Sequence, residues 1–510
     1  MFGDVSKLYL MFCVFVLRES GAERYLVEYR IGSGMRSEVL NAAAKKNLFF
    51  APDALEIVLS SPDPVAFTGT LLAALSESSM FIEKKDIMDF LAGDSAAAPE
   101  RKPIVPRNKK HSDISIVPGT DITGDSTCEG KITDFAAYFR SRFFSLKRII
   151  EKRKDFGVSV PISRAVTLGR EAKIIGMIYE KKETKNGHIT LSLEDESGNC
   201  TVLISKDSPC FGEMFVNDEV VGISGKPSSR GDLFIADKIF RPDVPTGHTW
   251  VPSDSVSSVA FLSDIHVGSS TFLEKEWKKM IVWLKANSYD MDLDYLVLPG
   301  DVVDGIGIFP GQEGELSIAD IYGQYERLGE YIKEIPDHIR IVIQPGNHDA
   351  VRLAEPQPAL NSIFTKGFDS NVIMAGNPVT LEIEGRTVLT YHGKSIDDWV
   401  SSVQKLNYED PISVMREMLT RRHLSPMYGG KTAMAPEKKD YLVIEKVPDI
   451  FVSGHVHGAG KMDYRGIKII NASTWQSQTD YQKAHNFNPN PAIMPVVHLG
   501  TGATKLMDFS

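Results

Sequence analysis

Five short segments in the second half of the chain supply Asp, Asn and His in a fixed order. They are Asp264-Ile-His266, Gly300-Asp301, Gly346-Asn347-His348-Asp349, His392-Gly393 and Gly454-His455-Val456-His457. Carboxylate and amide oxygens are hard ligands and imidazole is borderline, so the set suits a pair of divalent cations. Such a centre needs one carboxylate to bridge the ions, with neutral imidazoles and an amide oxygen to complete the shells. Asp301, following a glycine at the end of a strand-like run, is the bridge candidate. Asp264 and His266, two residues apart, can reach one ion. Asn347 offers an uncharged oxygen to the other, and His392, His455 and His457 supply nitrogens. His348 is suited to protonating a leaving oxygen or holding a phosphate, with Asp349 orienting its ring. Asp304 can fix a histidine tautomer from behind. The chemistry implied is cleavage of a phosphate ester. A GD or HG dipeptide alone points to nothing, and a lone His after a strand is more often structural; the ordered series is what is specific.

The elements that must position these residues are legible around them. VAFL precedes Asp264, YLVL precedes Pro299-Gly300, IRIVI precedes Gln344, TVLTY precedes His392 and DIFV precedes Ser453. Each is a short apolar, β-branched run, as in a buried strand. Ligands at the carboxyl ends of several strands place the site along one edge of a sheet, where open α/β folds build sites. Helical patterns over 272–285, 318–335, 396–406 and 412–422 alternate with the strands. Residues 255–510 therefore read as one layered α/β domain.

At 510 residues the chain needs two or three domains. A net charge of −10 excludes a generic nucleic-acid coat, so any nucleic-acid contact is local or shared with a partner. Cys13, Cys128, Cys200 and Cys210 lie outside the ligand series without CxxC spacing and fit a reducing interior. Residues 1–34 are ambiguous. LYLMFCVFVL after Lys7 suits a buried element or a targeting segment, and a translation start at Met35 is the third reading. Its apolar run is too short to span a bilayer, so no membrane association is expected. Residues 35–93 read as a small helical module and 94–130 as a flexible linker with basic pairs Arg101-Lys102 and Lys109-Lys110. A basic helix follows within 131–157. Short strands separated by Asn186-Gly187, Glu196-Ser-Gly-Asn199 and Ser228-Ser-Arg-Gly231 fill 158–245 and suit an OB-like β-barrel. Its aromatic side chains are sparse and LSLEDESGN is acidic, so it reads as a packing module rather than a single-strand grip.

The ligand series resembles the calcineurin-like (metallophosphoesterase) superfamily, whose motifs occur in this order. That resemblance implies a two-sheet sandwich flanked by helices. It assigns Asp264, His266, Asp301 and His457 to one metal and Asp301, Asn347, His392 and His455 to the other, with His348 as the acid. The domain order is similar to that of the small subunits of archaeal family D DNA polymerases and of the eukaryotic polymerase B subunits. The stretch Arg421 to Gly430 resembles part of that archaeal subunit and brings Arg422 and His423 in as DNA contacts beside Asn347 and His348. The resemblance implies a 3′–5′ exonuclease with Mn²⁺ as the favoured ion, and a large catalytic polymerase subunit as partner. It also implies single-stranded or frayed DNA ends as substrate and a cytoplasmic, nucleoid-associated location. LMDFS lacks the pattern of a sliding-clamp peptide, so any clamp contact is indirect. A free-standing phosphatase or nucleotide phosphodiesterase, and a non-catalytic scaffold, are the competing readings.

Overall fold

The computed structural model describes residues 114–510, apart from 230–232 and 485–486, and parts of 38–91. The apolar run at 8–17, Met35 and both basic pairs lie outside the described residues. The chain divides into two units, 1–109 and 110–510. In the first, helices Pro52–Leu59, Pro64–Ala74 and Lys84–Leu91 enclose Val39, Ala54, Val58, Leu71, Ile82 and Ile87. Pro52 and Pro64 each open a helix, where the missing N–H leaves nothing unpaired.

The second unit contains two six-stranded sheets and a closed barrel. One sheet runs Val372–Met374, Arg340–Gln344, Leu293–Pro299, Ser258–Phe261, Ile493–His498, Thr504–Asp508; its first four strands are parallel. The other runs Ala459–Tyr464, Ile467–Ala472, Ile450–Ser453, Arg386–Thr390, Val379–Ile383, Ile114–Ile116, with its second to fourth strands parallel. Side-chain alternation sorts the layers. Val259, Phe261, Tyr295 and Val297 meet Val388, Ile450, Val452 and Ile470 between the sheets. Ala260, Leu262, Leu296 and Leu298 turn outward to helices Glu274–Asn287 and Ile321–Lys333. Leu389, Phe451 and Ile469 pack on helices Ile396–Ser402 and Pro411–Arg421. Burial on both faces explains why these strands read as unbroken apolar runs. The expected arrangement along the edge of a single sheet is thereby corrected: three motif strands belong to one sheet and two to the other. Residues 114–116 lie within the stretch expected as linker, yet they form an edge strand of the second sheet.

The barrel closes in the order Ala172–Glu183, Ile189–Asp195, Gly198–Ile204, Phe234–Phe240, Val220–Pro227. Helix Ile132–Glu151 covers it with Phe143, Leu146 and Ile150 against Ile175, Val220 and Phe240. The same helix is fixed to the α/β layers by a buried ion pair, Arg142 Nε to Asp440 Oδ2 at 2.7 Å. A second clamp joins Arg421 to Glu219, at 2.6 Å, where the barrel meets helix Pro411–Arg421. Among the described residues no helix is long and apolar enough to cross a membrane.

Candidate metal centre

The loops leaving the five motif strands converge. Asp264, His266, Asp301, His392 and His457 are all buried. Five of the ligand candidates adopt left-handed backbone: Asp264 (φ 52°), His266 (54°), Asp301 (50°), His455 (70°) and His457 (53°). Each such residue costs on the order of 1 kcal/mol, and concentrations of them mark functional sites. Close approach makes two glycines obligatory here. A Cβ on Gly300 would strike His392 and Gly346, and one on Gly454 would strike Ser263 and Asp264.

Two groups form. In the first, His266 Nε2 stands 3.2 Å from His457 Nε2, and Asp264 Oδ1 is 3.5 Å from the latter nitrogen. Asp264 also accepts the His455 backbone N–H at 2.9 Å. In the second, His392 Nε2 faces Asp301 Oδ2 at 3.2 Å and Asn347 Oδ1 at 3.1 Å. Asp301 Oδ1 accepts the His348 backbone N–H at 2.8 Å. Ligand atoms of Asp264, His266 and His457 lie within 4.8 Å of one another, as do those of Asp301, His392 and His455.

The donor chemistry fits cations. His392 Nδ1 sits 3.0 Å from the Pro299 carbonyl, which can only accept, so that nitrogen carries the hydrogen. Nε2 of a neutral ring is then a third acceptor facing the two oxygens, an arrangement that a bound cation would satisfy. Burial would lower the His392 pKa, yet Asp301 beside it pushes it up to about 10. The proton there occupies a position suited to a metal ion. Asp301 is held well below the usual carboxylate range: burial would raise it, and His392 and His348 outweigh that.

Asp304 places Oδ1 3.0 Å from His266 Nδ1. Gln312 and Gln476 donate to the same carboxylate and fix it. Asp349 differs from expectation. It accepts the backbone N–H of Gly346 at 2.8 Å and the Tyr325 hydroxyl at 3.1 Å, bracing the loop rather than a ring. Burial, and next the charge of Asp301, push Asp349 up to about 6. The ring of His348 is oriented instead by the Asp304 carbonyl, 2.8 Å from Nδ1, and burial lowers its pKa. Sequence reasoning missed Asp397, 3.3 Å from His455 Nε2, and Gln482, 2.9 Å from His457 Nδ1. Gln482 carried no signal, whereas Asp397 stood five residues after His392 at the start of an expected helix.

Arg422 and His423 are placed apart from this group, and their polar atoms are committed within the chain. Arg422 is 3% exposed and donates to the carbonyls of Ile444 and Glu445. His423 is 1% exposed, with Nε2 2.8 Å from Asp440. Both are buried anchors in this structure rather than an exposed DNA-facing surface. Burial, then Arg142, push His423 down to about 4. An unfolded histidine binds its proton near pH ~6.5, so the unfolded chain takes up more protons between these values. Stability contributed here is present above pH ~6.5 and lost as pH falls towards 4. We expect urea midpoints of the wild type to drop over that window and those of His423→Gln to drop less; parallel profiles would contradict the assignment.

A buried set of carboxylates, imidazoles and an amide, facing one another at the strand ends of an α/β sandwich, forms clusters of a kind that could hold metal ions. Residues 259–458, which contain every ligand candidate, match the DNA polymerase alpha/epsilon B-subunit family. The DNA polymerase II small subunit of Archaeoglobus fulgidus is 41% identical over 448 residues, covering 85% of this chain and 90% of that protein. Its counterpart in Methanothermobacter thermautotrophicus is 35% identical over 490 residues, 93% of this chain and 100% of that one. That in Thermoplasma acidophilum is 40% identical over 388 residues, with 76% and 80% covered. The chain belongs to the family of archaeal DNA polymerase II small subunits.

Proposed function

We propose that this chain is the 3′–5′ exonuclease of a two-subunit archaeal replicative polymerase, removing terminal nucleotides from single-stranded or frayed DNA ends while bound to a large catalytic subunit. The observation that carries this reading is the acceptor convergence at His392, Asp301 and Asn347, repeated in kind at Asp264, His266 and His457. Asp264, His266, Asp301 and His457 would hold one divalent ion, and Asp301, Asn347, His392 and His455 the other. Such ions, when bound, supply Lewis acidity and an activated water, and mixed O and N ligands suit Mn²⁺. Asn347 and His348 would contact the scissile phosphate.

The chain's own residues do the rest. Asp304 holds His266 in the tautomer that leaves Nε2 as an acceptor. The Asp304 carbonyl fixes the hydrogen of His348 on Nδ1 and leaves Nε2 open. With its pKa lowered by burial, His348 is neutral until an anionic phosphate nearby raises its proton affinity. Charged in that way, it can give its proton to the departing 3′ oxygen. The calcineurin-like fold is supported by two helix-flanked sheets with ligands at their joined strand ends. We read the barrel as OB-like: its strands follow the order 1-2-3-5-4 and close 4 onto 1, with the third and fifth parallel.

The test is Mn²⁺-dependent digestion of a 3′-labelled single-stranded oligonucleotide. We expect stepwise 3′ shortening by the wild type and a loss of roughly a hundredfold or more in His348→Ala, the scale of general-acid catalysis. Digestion that is absent even with the large subunit present would remove the exonuclease and leave a scaffold.

A further inference from the structure

The imidazoles of the centre are each held at one nitrogen, and the pattern has an exception. His266 and His392 are held at Nδ1 by acceptors, Asp304 and the Pro299 carbonyl, and so present Nε2, while the Gln482 amide nitrogen lies 2.9 Å from Nδ1 of His457. His455 is held the other way round, with Nε2 3.3 Å from Asp397 Oδ2. We infer that Asp397 is a positioning residue that fixes His455 in the Nε2–H tautomer and turns Nδ1 towards the ion shared with Asp301, Asn347 and His392. The inference rests on the metal reading of the site.

Asp397 is built to stay where it is. It lies in the first turn of helix Ile396–Ser402, whose Ile396 and Trp399 are fully buried. The next residue, Asp398, accepts the backbone N–H groups of Lys431 and Thr432. Ser395, just before the helix, donates its hydroxyl to the Leu424 carbonyl and its N–H to Tyr391. The Asp397 carboxylate is 16% exposed and the His455 side chain 13%, so little water competes for the contact. Lys394 Nζ, 2.8 Å from the same Oδ2, limits the rotation of the carboxylate. A carboxylate on the far nitrogen makes an imidazole a stronger ligand as well as a fixed one.

The measurement is Mn²⁺ binding by the full chain, followed calorimetrically and without substrate, with thermal unfolding of each variant recorded alongside. Asp397→Ala should weaken one of the ions by about 10–100-fold and leave the other unchanged. Asp397→Asn keeps the shape and an acceptor but removes the charge, so its loss should be smaller than that of Asp397→Ala. Lys394→Met removes the ion pair and keeps the imidazole contact, so both ions should bind as in the wild type. Both ions bound at wild-type affinity by Asp397→Ala would overturn the role of Asp397 alone. An equal loss in Lys394→Met would overturn it too, since the ion pair and not the imidazole contact would then be responsible. No Mn²⁺ bound by the wild type would instead overturn the metal reading beneath it.

Discussion

Asp301→Asn is expected to lower phosphodiester cleavage roughly a thousandfold or more and to remove Mn²⁺ binding, while the protein stays folded. The asparagine keeps the acceptor for the His348 N–H, so the loop geometry is retained. What it removes is the charge that holds His392 protonated and that would bridge two cations. Loss of the partner charge should also let the His392 pKa fall, because burial then acts against the proton with less opposition. The checks are single-turnover cleavage of a 3′-labelled strand and Mn²⁺ calorimetry on the same sample. Activity surviving at a tenth of wild type would rule out Asp301 as the bridge.

Arg142→Met should be the most damaging change away from the centre. Arg142 and Asp440 are both fully buried, and the guanidinium also donates to the carbonyl of Pro426. Removing it leaves the Asp440 carboxylate without its strongest donor in a dry interior, a change that typically costs about 3–5 kcal/mol. Burial alone would raise the pKa of Asp440; His423 and Arg142 overcome this and hold it below the usual range. The stability so gained is present above the unfolded carboxylate pKa of about 3.9 and lost as pH falls below it. Arg142→Met should therefore be most destabilising near neutrality. Arg142→Met combined with Asp440→Leu should recover much of the loss, because no charge is then left unpaired. A single variant that unfolds within a degree of the wild type would show that the clamp is dispensable.

Much of the site was legible because metal ligands must be of few residue types and must leave strands at short, fixed spacings. Asp264, His266, Asp301, His392 and His457 are brought together as the motif order implied, and Asp304 stands behind His266. Even the strands were visible, since burial on both faces makes each a continuous apolar run. Other features could not be read from the chain. Arg422 and His423 look like ligands for DNA in sequence, since nothing in it shows that they meet Ile444, Glu445 and Asp440 in the interior. Asp349 follows His348 directly, yet the sharp turn of the loop points its carboxylate back at Gly346. The split of the motif strands between two sheets depends on pairings between distant segments, such as Val388 with Ile450. Which atoms could bind cations, and in what order the strands deliver them, followed from the amino-acid order alone, because ligand chemistry is local to a few side chains. Which carboxylate holds which imidazole, and at which nitrogen, was set by folding, because those contacts join distant residues, at 3.0 Å for Asp304 and His266 and 3.3 Å for Asp397 and His455.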